Sequence, residues 1–324
     1  MTWLINPYRF GVPGTGGPGA PLHRYWEVYL ISTTEGSPLV GSIEMAATVG
    51  GPNLATTPAN GSAFGYWRGV APAAPGNAFD GSPTTKSQLI NNNSPFGVAW
   101  RYDFGVSTLI GELAIVACTD ANSHLRSPDT FVLRGSDDAI TWFTYLLGIR
   151  APFTAPGQRL AWPVGARFPT SGRENARGWC VDYAVNNGRY TTNVSEMRWY
   201  SGGVHKSALP SGSPGAGTPL IGTSFADAMD GTTWANSNHE KMCDPSGFST
   251  RWASPYPTNG RIGFVFPTVQ DCDRLDLGPE GAATNGMLKT FAIRYTTDFN
   301  TWNTVLAPPD QTAWAGGALR SFTW

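Results

Sequence analysis

Apolar residues in this chain recur at every second position over short runs. Residues 25–31, 100–104, 112–117, 130–135, 141–148 and 159–164 are such runs, and Gly, Pro and Asp-Gly pairs separate them. A period of two is the pattern of a strand with one face buried. No stretch keeps a period of 3.6 for three turns, so the expected class is all-β. Residues 39–47 are read as a strand returning on 25–31 through the turn Thr34-Glu35-Gly36-Ser37-Pro38. The stronger hairpin signal is Asn186-Asn187-Gly188, between the apolar runs 179–185 and 189–200, because Asn-Gly suits a tight two-residue turn. Residues 50–76 read as a long loop.

The alternation occurs twice. Trp26-x-Val28 returns as Trp179-x-Val181, 153 positions later, and Glu44-Met45 returns as Glu196-Met197, offset 152. Asp80-Gly81 returns as Asp230-Gly231, and Thr130-Phe131-Val132-Leu133-Arg134 with Trp142 returns as Thr290-Phe291-Ala292-Ile293-Arg294 with Trp302. Anchors in one order with a slowly drifting offset indicate two domains in tandem, since the period is too long for a solenoid. The expected division is an N-terminal attachment arm and linker (1–23), a first domain (24–165), a connector (166–176) and a second domain (177–324).

Composition narrows the partners. Charged residues are 14 % and the net charge is -1, which steers the chain neither to nucleic acid nor to an anionic membrane. The 39 Gly and 26 Pro supply turns, and the 13 Trp supply large core residues, as a loop-rich β protein needs. No window is apolar enough to span a membrane. Residues 1–7 lack the basic region and apolar core of a signal peptide, so export by that route is not expected. Cys118, Cys180, Cys243 and Cys272 fit no zinc spacing, and free thiols are expected. The arm carries Trp3, Leu4, Ile5, Tyr8 and Phe10, an apolar tip suited to docking on a neighbouring subunit.

The motif Asn77-Ala78-Phe79-Asp80-Gly81 is followed by Trp100-x-Tyr102-Asp103-Phe104-Gly105. Alternating Ile110, Leu113 and Ile115 come next, then Phe131-x-Leu133-x-x-Ser136-Asp137-Asp138-x-x-x-Trp142. This order resembles the discoidin (coagulation-factor type C, galactose-binding-like) domain. The resemblance covers residues 24–165 through these motifs and 177–324 through the repeat. It implies two tandem antiparallel jelly-roll β-sandwich domains and a carbohydrate ligand. It also implies a structural calcium ion in an Asp-Gly-Asp-x-x-Thr loop, with Asp80 and Thr85 in the first and last places. Ser82 stands where the second Asp belongs, and the closing segments 159–164 and 319–324 carry no Glu, so the implied site is short of carboxylates.

Sugars are held by aromatic faces beside charged or amide groups. In the first domain Phe64, Tyr66, Trp67 and Arg68 offer that chemistry, with His124 and Arg126 in another loop. In the second domain Trp234, His239, Arg251, Trp252 and Tyr256 do so. None of the four His lies beside a plausible Ser or Cys nucleophile in sequence, so catalysis is not expected, and a polysaccharide depolymerase or its accessory module is the lesser alternative. The expected function is a carbohydrate-binding virion protein, a fibre or spike subunit of a phage or phage-like particle such as a gene transfer agent. It would attach to host cell-surface polysaccharide, contact other virion proteins through its arm and form a homo-oligomer. A structural attachment or decoration subunit without its own ligand is the alternative.

Overall fold

The computed structural model describes residues 21–33, 38–64, 74–89, 98–121, 123–148, 153–188, 192–207, 223–226, 252–254, 258–279 and 284–324. The strands of the first half are β1 (Leu22–Thr33), β2 (Leu39–Val40), β3 (Ser42–Ala46), β4 (Gly61–Phe64) and β5 (Ser87–Gln88). They continue with β6 (Ala99–Leu109), β7 (Glu112–Val116), β8 (Pro128–Ser136), β9 (Phe143–Gly148) and β10 (Arg159–Pro163). The second half has β11 (Gly178–Asn186), β12 (Thr192–Val194), β13 (Glu196–Ser201), β14 (Val204–His205), β15 (Thr223–Ala226) and β16 (Trp252–Ser254). It ends with β17 (Thr258–Val265), β18 (Arg274–Gly278), β19 (Leu288–Thr296), β20 (Asn303–Leu306) and β21 (Arg320–Thr323).

These strands form two antiparallel β-sandwiches. In the first, a five-stranded sheet in the order β4-β6-β1-β8-β9 faces a three-stranded sheet β10-β7-β3. In the second, β15-β17-β11-β19-β20 faces β14-β13-β18-β21. Between the first pair lies a core built on Trp26, Val28, Leu30, Ile43, Met45, Trp100, Phe131 and Leu133. Between the second pair lie Trp179, Val181, Met197, Trp199, Ile262, Phe264, Leu275 and Ile293. Trp26, Trp100 and Trp179 keep the indole N–H satisfied, as burial favours, whereas the buried Trp199 indole nitrogen has no hydrogen-bond partner. Trp26 donates to the His23 carbonyl at 3.0 Å and Trp179 to the Gln270 carbonyl at 2.7 Å.

The repeat extends to strand register. Val28 lies between Trp100 and Leu133, and Val181 lies between Ile262 and Ile293. Met45 pairs with Leu113, and Met197 with Leu277. Even the irregularity in the central strand is copied, between Leu30 and Ser32 and again between Tyr183 and Val185.

Three expectations are corrected. Neither expected hairpin forms. β1 pairs with β6 and β8, while β3 pairs with β7 in the opposite sheet, so residues 25–31 and 39–47 face each other across the core. The same holds for β11 and β13. Both strands point their apolar residues into one core, from opposite sheets. Residues 39–47 break at Gly41, where an added Cβ would lie 2.9 Å from Pro83 Cα. The Asn-Gly pair makes a corner instead. The Asn187 amide donates to the Met287, Leu288 and Gln311 carbonyls, which ties the corner to other strands rather than to its own return. The long loop 50–76 contains β4, an edge strand on β6. The linker read as 1–23 loses its last two residues to β1, and His23 is buried, bonded to Asp137 at 3.0 Å and to the Tyr145 hydroxyl at 2.6 Å. Cys118, Cys180 and Cys272 are buried; Cys243 lies outside the described residues. Burial pushes the Cys118 thiol up to about 11.

The sandwiches touch through the outer faces of their large sheets. Ile31 and Val132 of the first pack on Cys180, Val265 and Phe299 of the second, with Tyr29, Leu147 and Trp302 around them. The turn after β19 reaches across. Asn300 Oδ1 accepts from Arg134 at 2.5 Å, and the Asp298 carbonyl accepts from the Thr144 hydroxyl at 2.5 Å.

Candidate functional site

Part of each large outer face is occupied by the contact between sandwiches. The outer faces of the two small sheets differ sharply from each other. On the first, the cross-strand rows are Glu44–Ala114–Ala161 and Ser42–Val116–Arg159. Arg159 bridges Glu44 at 2.8 Å and Glu112 at 3.1 Å. This face is small and aliphatic apart from one closed ion cluster.

On the second, β13 reads Glu-Met-Arg-Trp-Tyr-Ser. Met197 and Trp199 enter the core, so Glu196, Arg198 and Tyr200 point outward by alternation. Register then assembles a row from four strands: His205 beside Tyr200, Tyr200 beside Arg274, Arg274 beside Thr323. A second row lies next to it, Arg198–Asp276–Ser321. The imidazole of His205 stacks on Tyr200 with ring centres 5.1 Å apart, and the Arg274 guanidinium lies 3.6 Å from the Tyr200 ring centre. Arg274 pairs with Asp276 at 3.2 Å and Arg198 with Glu196 at 3.0 Å. Strands lie about 4.8 Å apart, so four neighbours make a flat strip roughly 14 Å long. Planar groups ordered along a strip can stack on the C–H face of a sugar, and the Arg198 and Arg274 guanidinium groups can bond its hydroxyls, while the Glu196 and Asp276 carboxylates that pair with them are buried.

Burial first, and then the positive charge of Arg198, holds the His205 pKa below its ordinary value. The ring is therefore neutral at pH 7. Its Nε2 lies 3.1 Å from the Ser207 hydroxyl. That pair is not a hydrolytic one, because Ser207 is fully buried and its oxygen accepts from the Trp199 amide at 2.9 Å.

No family model, curated protein or solved structure matches this chain. The function therefore rests on its own geometry.

The expected ligand residues fall mostly elsewhere. Tyr66, Trp67, Arg68, Trp234, His239, Arg251 and Tyr256 lie outside the described residues. Trp252 opens β16, its backbone opposite Val194. His124 and Arg126 share a single 3-10 turn, Ser123–Arg126, and both are half-buried. The His124 Nδ1 is shielded from solvent and makes no hydrogen bond. That turn leads into β8 where Pro128 pairs with Thr33, and β4 ends where Phe64 pairs with Ala99. The His124 turn and the end of β4 thus share one end of the first sandwich.

Asp80 and Thr85 do come together. One Asp80 oxygen accepts from the Ser82 amide at 2.8 Å and the other from the Thr85 hydroxyl at 2.5 Å, around Gly81 at φ +72. This is a self-satisfied Asx turn. Calcium takes six to eight oxygens. Among the described residues no group of three His, Cys, Asp or Glu side chains is placed to hold a metal. One carboxylate with both oxygens committed does not fit the implied ion.

Sequence reasoning missed the Tyr200 strip. Its outward alternation was legible in residues 196–201, but the partners Arg274 and Thr323 are set by register with strands far along the chain.

Proposed function

We propose that this chain is a carbohydrate-binding protein whose second sandwich presents the ligand face. It serves as a fibre or spike subunit of a phage or phage-like particle that attaches to host cell-surface polysaccharide. The observation that carries the reading is the strip His205–Tyr200–Arg274–Thr323, with Arg198 and Asp276 beside it. Extended polymers suit an extended strip, and many copies on a particle turn weak single sites into strong attachment. The virion setting is supported by the low charge, the abundant tryptophan and the Gly/Pro-rich apolar N-terminal segment.

The test is binding of the purified chain to a panel of bacterial capsular and lipopolysaccharide glycans, with and without EDTA. The expected result is binding that survives EDTA. Retention of none of the glycans counts against the reading. It would favour the second one, a structural attachment subunit, for which the buried contact between the sandwiches is the supporting observation.

A further inference from the structure

Each large sheet carries a charge cluster of similar make-up on its outer face, a carboxylate from the central strand, an arginine from each flanking strand and a tryptophan, although Cys180 holds the place of Glu27 and the second carboxylate, Asp182, lies two residues further along its strand. In the first sandwich Glu27 accepts from Arg101 at 2.6 Å and from Arg134 Nε at 2.7 Å. Arg101 lies 4.6 Å over the Trp142 ring. In the second, Asp182 faces Arg294 at 3.0 Å and Arg261 at 3.9 Å, and Arg261 lies 4.9 Å over the Trp302 ring. Arg134 pairs with Glu27 and Arg294 with Cys180, so the two arginines hold equivalent places in the repeat.

The clusters differ in what covers them. In the first, Arg134 Nη1 donates to Asn300 Oδ1, and Asn300 Nδ2 donates to the Trp142 carbonyl, both at 2.5 Å. An amide group therefore sits on the cluster, its oxygen on a guanidinium and its nitrogen on a tryptophan carbonyl. The Glu27 side chain is 0 % exposed and that of Arg134 6 %. In the second, the side chains of Asp182 and Arg294 are 28 % and 34 % exposed. Arg294 Nε is shielded from solvent and makes no hydrogen bond. The first sandwich thus shows, in the same chain, what an occupied cluster holds.

We propose that the Arg294–Arg261–Asp182 face beside Trp302 binds the acetamido group of an N-acetylated amino sugar. This inference rests on the carbohydrate-binding reading and adds a second site to it. An acetamido group offers the same pair of atoms as the Asn300 amide, a carbonyl acceptor and an N–H donor. The half-buried Trp302 gives a flat apolar surface for the sugar ring, and Asp182 gives an acceptor for its hydroxyls.

The experiment is a ligand-detected NMR titration of the full chain with chitotriose. Cellotriose, with a hydroxyl where chitotriose has the acetamido group, is the comparison. Chitotriose binds, and cellotriose binds at least about tenfold more weakly, the size of one lost hydrogen bond to a charged group. Arg294→Lys, which keeps the charge but not the planar fork, weakens chitotriose by a similar factor while the melting temperature holds. Trp302→Phe provides a second variant should Arg294→Lys fail to fold. Equal binding of both trisaccharides, or binding untouched in a folded variant, overturns the inference. If the chain binds a host polysaccharide but not chitotriose, this site fails and the broader reading stands. If sedimentation shows self-association that Arg294→Lys abolishes, the face is a protein contact and the sugar assignment is wrong.

Discussion

The turn after β8 and the turn after β19 are two copies of one device with different fates. In Ser136-Asp137-Asp138-Ala139-Ile140-Thr141, Asp138 accepts from the Ile140 and Thr141 amides at 2.8 and 2.7 Å. In Thr296-Thr297-Asp298-Phe299-Asn300-Thr301, Asp298 accepts from the Asn300 and Thr301 amides, both at 3.0 Å. Ala139 and Phe299 both sit in the left-handed region, at φ 59 and φ 61. The first turn ends in solvent, with Ile140 83 % exposed; the second buries Phe299 to 3 % in the contact between sandwiches. The two turns share a backbone and differ at four side chains, of which two matter here: Phe stands for Ala and Asn for Ile. Those two changes supply the apolar plug and the amide that seal one sandwich against the other. The contact is one-sided, since the equivalent turn of the first sandwich does not return it. That leaves the second sandwich with its charge cluster open and its small sheet carrying aromatic and charged groups.

The largest effect should come from the sealed charge cluster. Glu27→Gln leaves Arg101 and Arg134 without their buried counter-charge and is expected to cost about 3–5 kcal/mol in chemical denaturation. Asp182→Asn, in the partly exposed cluster of the second sandwich, should stay within about 1 kcal/mol. Equal costs would erase the distinction between the clusters. The next effect is at the turns. Phe299→Ala should cost about 3 kcal/mol through the lost plug, while Ile140→Ala should leave the melting curve within about 0.5 kcal/mol, as surface substitutions do. The smallest effect is in pH. The folded pKa of His205 lies below the ordinary histidine value near 6.5, so the unfolded chain binds its proton first as pH falls. Its share of stability is complete above about pH 6.5 and is lost as pH drops through the lower folded value. His205→Gln should flatten that part of the acid limb in thermal melts taken between pH 7 and 4.

Much of the fold was legible. Trp26 and Trp179, Glu44 and Glu196, Phe131 and Phe291 sit in matching strands because each fills the same place in a sandwich core or rim. The failures have a physical cause. Asn186-Asn187-Gly188 is chemically a hairpin turn, and only the distant carbonyls of Met287, Leu288 and Gln311 make it a corner. The Asp-Gly motif was legible as a turn, and the structure shows Asp80 satisfied by Ser82 and Thr85. The candidate site was half legible. Outward positions in β13 follow from alternation, but which residues stand beside Tyr200 depends on pairings between strands far apart in sequence. Phe299 gave no signal, because an aromatic residue in a turn is indistinguishable from a loop residue until a partner covers it.

The central claim is that the second sandwich, not the first, presents the ligand face. It is tested most directly by measuring the affinity of the full chain for the best-binding host polysaccharide in two variants. Tyr200→Ala removes the centre of the strip, and Glu44→Gln alters the matching sheet face of the first sandwich. The account predicts at least about a tenfold loss for Tyr200→Ala, the scale of a lost aromatic anchor, and unchanged affinity for Glu44→Gln. Unchanged binding in a folded Tyr200→Ala protein would contradict it.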